Sequence, residues 1–182
     1  MPPLEAIVFF IKKLSSTCSA LVLAILPAAA GGSPFNDDFA QEVLAAHNRE
    51  RSTLGVPSLV WNRELADGAQ KWAQHLADTG RFEHSPNVQG EPALGENIWG
   101  GTPGAFRPES MVALWIAEKR NYKPGVFPNN SETGNVRDVA HYTQVVWRRT
   151  LQVGCGRAAS RGEEIMVCRY SRPGNVIGTS PV

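Results

Sequence analysis

The amino-acid sequence predicts an α+β domain in which helices come first and a β-hairpin closes the chain. Between residues 37 and 122 apolar residues recur at helical spacing, whereas residues 152–159 and 163–170 are β-rich runs on either side of Arg161-Gly162. The chain has 182 residues, of which 42% are hydrophobic and 19% charged, a composition typical of a folded domain with a sizeable core. A formal net charge of +1 does not mark the whole protein as a nucleic-acid binder.

Residues 1–30 have the pattern of a signal peptide, residues 31–35 of a linker, and residues 36–182 form the domain. Lys12-Lys13 precedes a mostly apolar run, and Ala28-Ala29-Ala30 supplies a small-residue cleavage site. A membrane anchor is the alternative, but the apolar run is shorter than the ~20 residues that span a bilayer. We therefore expect a secreted, extracellular protein.

Two helices are expected in the first half of the domain. The first spans residues 37–54 and ends at Gly55-Val56-Pro57. A short extended piece, Leu59 to Trp61, leads into the second helix, for which Asn62 is the predicted N-cap and Gly80 the C-terminal stop.

A third helix is expected to begin at Pro108. On it Met111, Trp115, Glu118 and Tyr122 fall at i, i+4, i+7 and i+11, so the carboxylate of Glu118 shares a stripe with apolar side chains. A carboxylate in that position is costly unless it is paired. The sequence leaves its partner open, and three arginines are candidates for a buried salt bridge: Arg120, Arg148 and Arg149.

The remaining elements are short. Ile98-Trp99 is a candidate strand between a Pro- and Gly-rich loop and a second loop over residues 100–108. Asp138 is expected to cap a short helix that carries His141, and this histidine is either a core residue that orients the helix or part of a site.

The terminal hairpin predicts how two cysteines face each other. If Arg161-Gly162 form a two-residue turn, Ser160 pairs with Glu163, and counting outward places Cys155 opposite Cys168 at a non-hydrogen-bonded position. An even pair of cysteines in an exported chain favours a disulfide over two buried thiols. The bridge would stabilise the fold by roughly 3 kcal/mol on the chain-entropy model.

The chain resembles the CAP superfamily of cysteine-rich secretory proteins, antigen 5 and plant pathogenesis-related proteins, most closely the plant class-one members. Its two late signatures match residues 140–147 and 167–178, while Gly95-Glu96-Asn97-Ile98, His84-Ser85 and Ala46-His47-Asn48 match further landmarks at family spacing. The resemblance covers residues 36–182 and implies a three-layer α-β-α sandwich. The chain departs from its plant relatives in having cysteines for only the last of their three bridges.

The resemblance also implies a central cleft lined by His84, Glu96, Glu118 and His141. Two imidazoles and two carboxylates suit a divalent cation such as zinc, with the histidines as direct ligands and the carboxylates orienting a bound water or the histidines themselves. Without the resemblance, the residue pattern singles out only Glu118, whereas His84 and Glu96 alone look like loop residues.

The function expected from this cleft is that of a non-enzymatic extracellular binding module, related to defence or host interaction. The alternative is a metal-dependent hydrolase of the peptidase kind that uses the same four residues. No serine or cysteine stands at motif spacing from a base, and the sequence has no H-E-x-x-H helix, which favours the binding module.

A long polar loop over residues 122–135 is the candidate lipid-binding segment, with Tyr122, Val126 and Phe127 as its apolar residues. In the family, sterol binding maps to an aromatic-containing loop near here, so a sterol or another small lipid is the expected partner. The same loop carries a glycosylation sequon at Asn129, which is used only in a eukaryotic host. We expect a monomer that does not bind nucleic acid.

Overall fold

The computed structural model describes residues 37–182 and consists of four α-helices around a four-stranded sheet. The predicted signal peptide and linker lie outside the described residues. The helices are α1 (Asp37–Thr53), α2 (Arg63–Thr79), α3 (Pro108–Ala117) and α4 (Ala140–Val146). The strands are β1 (Val60–Trp61), β2 (Gly95–Gly101), β3 (Gln152–Ser160) and β4 (Glu163–Ser171), and short 3₁₀ turns cover Glu118–Asn121 and Val136–Asp138.

The sheet has the order β1-β3-β4-β2. The short β1 runs parallel to β3, whereas β3–β4 and β4–β2 are antiparallel. The turn between β3 and β4 is the expected two-residue one, because Arg161 and Gly162 have φ of 54° and 83° and Ser160 faces Glu163. Cys155 faces Cys168 with their Cα atoms 4.1 Å apart, and the two form a disulfide.

Alternate residues of the sheet pack into two separate cores, which makes the domain three-layered. On one face Val153, Met166 and Tyr170 pack with α1, α3 and α4. On the other face Ile165 and Val167 pack against the alanine-rich side of α2. The period of two along each strand sends successive side chains to opposite layers, so β4 is buried on both sides. The α-β-α sandwich implied by the resemblance is thus confirmed.

Helix α2 lies close to the sheet because two glycines of β3 face it. A Cβ atom on Gly154 would overlap the backbone of Ala66, and one on Gly156 would overlap the backbone of Gln70. The ends of α2 follow the sequence prediction: the Asn62 side chain accepts a hydrogen bond from the Leu65 amide, and Gly80 adopts the left-handed conformation.

Three local predictions need correction. Strand β2 is longer than Ile98-Trp99, because its residues from Gly95 to Gly101 all pair with β4. Helix α3 ends at Ala117, and Glu118 begins a 3₁₀ turn. Asp138 does not cap α4, because its carboxylate accepts hydrogen bonds from the side chains of Thr133 and Asn135 instead.

The C-terminal tail, residues 172–182, docks against the domain. The amide of Gly174 donates to Gln144 Oε1 at 2.8 Å, and Asn175, which has a φ of 55°, donates from its side chain to the carbonyl of Ala140. Farther on, the Gly178 amide donates to the carbonyl of Phe127 at 2.9 Å. Within residues 37–182, no helix is both long enough and apolar enough to cross a membrane.

Candidate functional site

The first half of the site is a histidine–glutamate pair formed between the loop after α2 and strand β2. Glu96 is held on β2 opposite Arg169 of β4. Its Oε1 accepts hydrogen bonds from His84 Nδ1 and from the Ser85 amide, both at 2.9 Å, and its Oε2 accepts one from Ser85 Oγ at 2.6 Å. These hydrogen bonds fix His84, which lies in the loop after α2, to strand β2.

This arrangement stabilises charge on both partners. Burial of Glu96, whose side chain is 8% exposed, disfavours its charged form, but the hydrogen bonds from His84 and Ser85 outweigh burial and hold its pKa below the ordinary value. The same hydrogen bond to Glu96 raises the pKa of His84. Arg169 Nε lies 3.5 Å from Glu96 Oε2 and adds a second positive neighbour.

The second half of the site is another histidine–glutamate pair, between the end of α3 and the start of α4. Glu118 Oε1 accepts a hydrogen bond from His141 Nδ1 at 2.6 Å, and its Oε2 accepts from the amides of His141 and Tyr142 at 3.0 and 3.1 Å. Glu118 therefore satisfies free amides at the N-terminus of α4, which a capping side chain would otherwise do. The partners of the Glu118 carboxylate are therefore His141 and Tyr142, and not Arg120, Arg148 or Arg149, which the sequence offered as candidates.

A buried tryptophan of α3 packs against the histidine of the second pair. The Trp115 ring stacks on the His141 ring, with centroids 6.2 Å apart and planes 12° apart. Trp115 itself is buried in the core. The apolar stripe that Glu118 shares in the sequence thus supplies Trp115, whose ring packs against the imidazole of His141.

Asn97 connects the two pairs. It follows Glu96 on β2, and its buried side chain donates hydrogen bonds to the carbonyl of His141 at 3.1 Å and to Tyr170 Oη at 3.3 Å. Two consecutive residues of β2 therefore hold the two pairs: Glu96 bonds the His84 side chain, and Asn97 bonds the backbone of His141. The sequence assigned no role to Asn97, Ser85 or Arg169; the signal available was that each lies within a segment that matches the family.

The two histidines present the same atom for ligand binding. A carboxylate oxygen accepts hydrogen bonds, so Nδ1 is the donor in each pair, and in the neutral imidazole Nε2 is then the nitrogen with the lone pair. Hydrogen bonds within residues 37–182 involve neither Nε2, and the side chains of His84 and His141 are 66% and 36% exposed. In the described part of the chain, no three His, Cys, Asp or Glu side chains are grouped closely enough to hold a metal ion.

A cavity of about 310 Å³ adjoins only the first pair. His84, Ser85, Glu96 and Arg169 line one side of it, and the loop over residues 86–94 lines the other. Glu118 and His141 are not among its lining residues. The structure thus arranges the four predicted residues as two pairs bridged by β2.

The candidate lipid-binding loop packs most of its aromatic surface inward. Tyr122 makes an edge-to-face contact with Tyr142 at 5.3 Å, and Phe127 makes one with Trp147 at 6.3 Å. Val126 is 48% exposed. In the sequon, Asn129 is exposed, whereas Ser131 is buried.

Comparisons with known proteins agree with this architecture. The model of the cysteine-rich secretory protein family matches residues 44–170. Pathogenesis-related protein 1C of Nicotiana tabacum is 39% identical over 78% of this chain and 79% of its own length. The PR-1 type pathogenesis-related protein of Sambucus nigra is 36% identical over 78% of this chain and 80% of its own length.

Solved structures have the same fold. The crystal structure of NaASP2 with Zn²⁺ has a TM-score of 0.66 at 25% identity and covers 82% of this chain and 88% of its own. That of MpPR-1i has a TM-score of 0.55 at 26% identity and covers 78% of this chain and 92% of its own. On the match over most of the domain and the identity to the plant proteins, the chain belongs to the cysteine-rich secretory protein (CAP) family.

Proposed function

We propose that this chain is an exported, defence-related binding module that holds a divalent cation with His84 and His141 and catalyses no reaction. Its relatives bear the name pathogenesis-related, and the family is described as secretory. The observation that carries the metal proposal is that both histidines have Nδ1 bonded to a glutamate and Nε2 unbonded within the described residues.

The donor set fits a borderline cation such as Zn²⁺. Histidines that bind zinc through Nε2 usually donate Nδ1–H to a carboxylate, which fixes the ring and makes it a stronger ligand. Glu96 and Glu118 supply that contact here. The fold neighbour NaASP2 was crystallised with Zn²⁺, which supports the choice of metal. Bound zinc would supply positive charge for an anionic or water ligand.

The hydrogen bonding of the glutamates favours binding over hydrolysis. Each carboxylate accepts three hydrogen bonds from neighbouring residues. A general base needs an accessible oxygen and a pKa near the working pH, whereas the pKa of Glu96 lies below its ordinary value. A metal-dependent peptidase remains the alternative function.

Calorimetric titration with zinc chloride tests the metal proposal. We expect His84→Ala and His141→Ala each to weaken binding by more than about tenfold, as loss of a direct ligand does. His75→Ala is the matched control, because His75 is an exposed histidine on α2 whose ring stacks on Trp72 and makes no hydrogen bond to either pair among the described residues. If both ligand variants bind zinc as the parent does, the proposed site is wrong.

Peptide-library cleavage in the presence of zinc separates the two functions. The binding module predicts no turnover by the parent protein. Zinc-dependent turnover that Glu118→Gln abolishes would instead establish the hydrolase. Glu118→Gln retains one accepting oxygen, and its fold is checked by circular dichroism before the assay.

The lipid part of the proposal rests on the loop that contains Tyr122, Val126 and Phe127. Val126 is the exposed member, so a sterol would contact it first. We expect Val126→Asp to reduce binding of a fluorescent sterol without loss of stability, because the side chain has little packing to lose. Leu114→Asp, which changes an equally exposed residue of α3, is the control. Equal sterol binding by the two variants would show that this loop is not the sterol site.

A further inference from the structure

Three segments of the chain meet on one face of the domain around the docked C-terminal tail. They are residues 122–131, 145–153 and 171–182, and we refer to the surface they form as the tail face. The Phe127 amide donates to the carbonyl of Thr179 at 3.0 Å, and the Arg148 amide donates to that of Pro181 at 2.7 Å. The ring contact between Phe127 and Trp147 joins the first two segments directly.

The tail face is positively charged although the chain as a whole is nearly neutral. Its three segments contain no acidic residue, whereas the entire chain has a formal net charge of +1. They carry four basic residues: Lys123, Arg148, Arg149 and Arg172. None of these four is a member of an ion pair among the residues that the structure describes. The three arginines are exposed to solvent.

The same surface is unusually rich in exposed aliphatic side chains. Among the described residues, four of the ten exposed large hydrophobic side chains belong to these segments. They are Val126 at 48%, Leu151 at 47%, Val176 at 45% and Ile177 at 79% exposure. Single exposed apolar residues are ordinary, but a group of them next to unpaired cations indicates a contact surface.

A pocket of about 200 Å³ lies where the charged and the apolar parts meet. It is lined by Trp147, Arg149, Arg172, Pro173, Val176 and Thr179. Two arginines in the lining of an otherwise mainly apolar pocket suit a small anionic group attached to hydrocarbon. Arginine binds a phosphate through two parallel N–H donors.

We propose that the tail face binds the surface of an anionic phospholipid bilayer. Arg149 and Arg172 contact lipid phosphates, Arg148 and Lys123 add attraction to the negative surface, and Ile177 with its aliphatic neighbours enters the interface. Charge complementarity alone would also suit a soluble polyanion. The exposed aliphatic side chains favour the bilayer, because a bilayer removes them from water whereas a soluble polyanion does not. The tail face includes the loop proposed above for sterol binding, but it goes beyond that function, since binding to a bilayer through Arg149, Arg172 and Ile177 needs neither the metal nor a sterol.

Vesicle co-sedimentation of the secreted protein, purified from the medium of an exporting host, tests the proposal. The vesicles are phosphatidylcholine alone or with about 30% phosphatidylserine, which gives a negative surface potential. We expect binding to the anionic vesicles only, and weaker binding as sodium chloride is raised from about 0.1 to 0.5 M. The doubly substituted Arg149→Gln/Arg172→Gln should bind about 10- to 30-fold more weakly.

Two control variants make the result specific to the tail face. Lys71→Gln/Arg161→Asn removes the same charge from α2 and from the tip of the β3–β4 hairpin, and should bind like the parent. Asparagine is chosen at Arg161 because it tolerates the positive φ there. Ile177→Ser should weaken binding, whereas Leu114→Ser on α3 should not. Zinc titration of each variant separates failure of this surface from failure of the metal site.

Three results would overturn the proposal. The first is equal binding to neutral and anionic vesicles. The second is equal loss of binding in the tail-face and control variants. The third is binding to a soluble polyanion such as heparin without binding to anionic vesicles, which would assign the same arginines to a polysaccharide.

Discussion

Protonation of His47 is expected to make the stability of this protein depend on pH. His47 is fully buried between α1 and the sheet. Its Nδ1 donates to the carbonyl of Val43 and its Nε2 accepts from Tyr170 Oη, each at 2.8 Å. Burial, aided by the charge of nearby Arg51 and partly offset by the bond to Val43, lowers the pKa of His47 to about 4.

The size of the effect follows from the difference between the folded and unfolded states. In the unfolded chain the imidazole takes up its proton near pH 6.5. Between pH 6.5 and about 4 the unfolded state therefore binds one proton more than the folded state. The stabilisation is complete above pH 6.5 and is lost as the pH falls through this window. Each pH unit is worth about 1.4 kcal/mol, so the total loss is about 3 kcal/mol.

Urea unfolding followed by tryptophan fluorescence at several pH values measures this loss. His47→Gln keeps a hydrogen-bonding side chain but cannot be protonated, so its free energy of unfolding should fall by about 3 kcal/mol less than that of the parent between pH 7 and 4. Because the pKa of His84 shifts in the opposite direction, the comparison between variants is the readout rather than the parent curve. His75→Gln, at an exposed position, controls for the loss of an imidazole. The same pH dependence in His47→Gln and the parent would refute the reasoning.

Three other predictions concern the remaining structural features. Glu118→Ala should lower the free energy of unfolding by about 2 kcal/mol, measured by urea titration, because the carboxylate bonds two α4 amides and an imidazole; an unchanged midpoint would contradict this capping role. Peptide mapping without reduction should recover Cys155 linked to Cys168, and replacing both by alanine should cost about 3 kcal/mol; two free thiols in the protein purified without reductant would exclude the bridge. Hydrogen exchange should be slow at the amide of Gly178, which donates to the carbonyl of Phe127; fast exchange, or a free peptide that starts at Arg172, would mean a releasable tail.

Features that depend on neighbouring residues were predictable from the sequence. The Asn62 cap and the Gly80 stop follow from local hydrogen bonding and from the conformational freedom of glycine. The facing of Cys155 and Cys168 follows from the two-residue turn, since each strand has a period of two. The family landmarks likewise indicated all four residues of the candidate site.

Features that depend on contacts between distant segments were not predictable in the same way. Asp138 has the composition of a helix cap, yet Glu118 from another helix satisfies the start of α4, because a competing turn uses Asp138. The full extent of β2 was not predictable, because glycines stand at both of its ends and its sequence lacks the alternation of apolar and polar residues that marks a half-buried strand.

By itself, the sequence determined the α+β class, the hairpin with its facing cysteines, and the list of four site residues with its family. Only the tertiary structure decided that these four form two separate histidine–glutamate pairs joined by Asn97, and that three basic segments without acidic residues meet at the tail. The physical reason is the separation along the sequence over which each kind of interaction acts. Caps, turns and periodicity act over a few residues, whereas a hydrogen bond between Glu118 and His141, or the grouping of Arg149 with Arg172, exists only once the core has brought distant elements together.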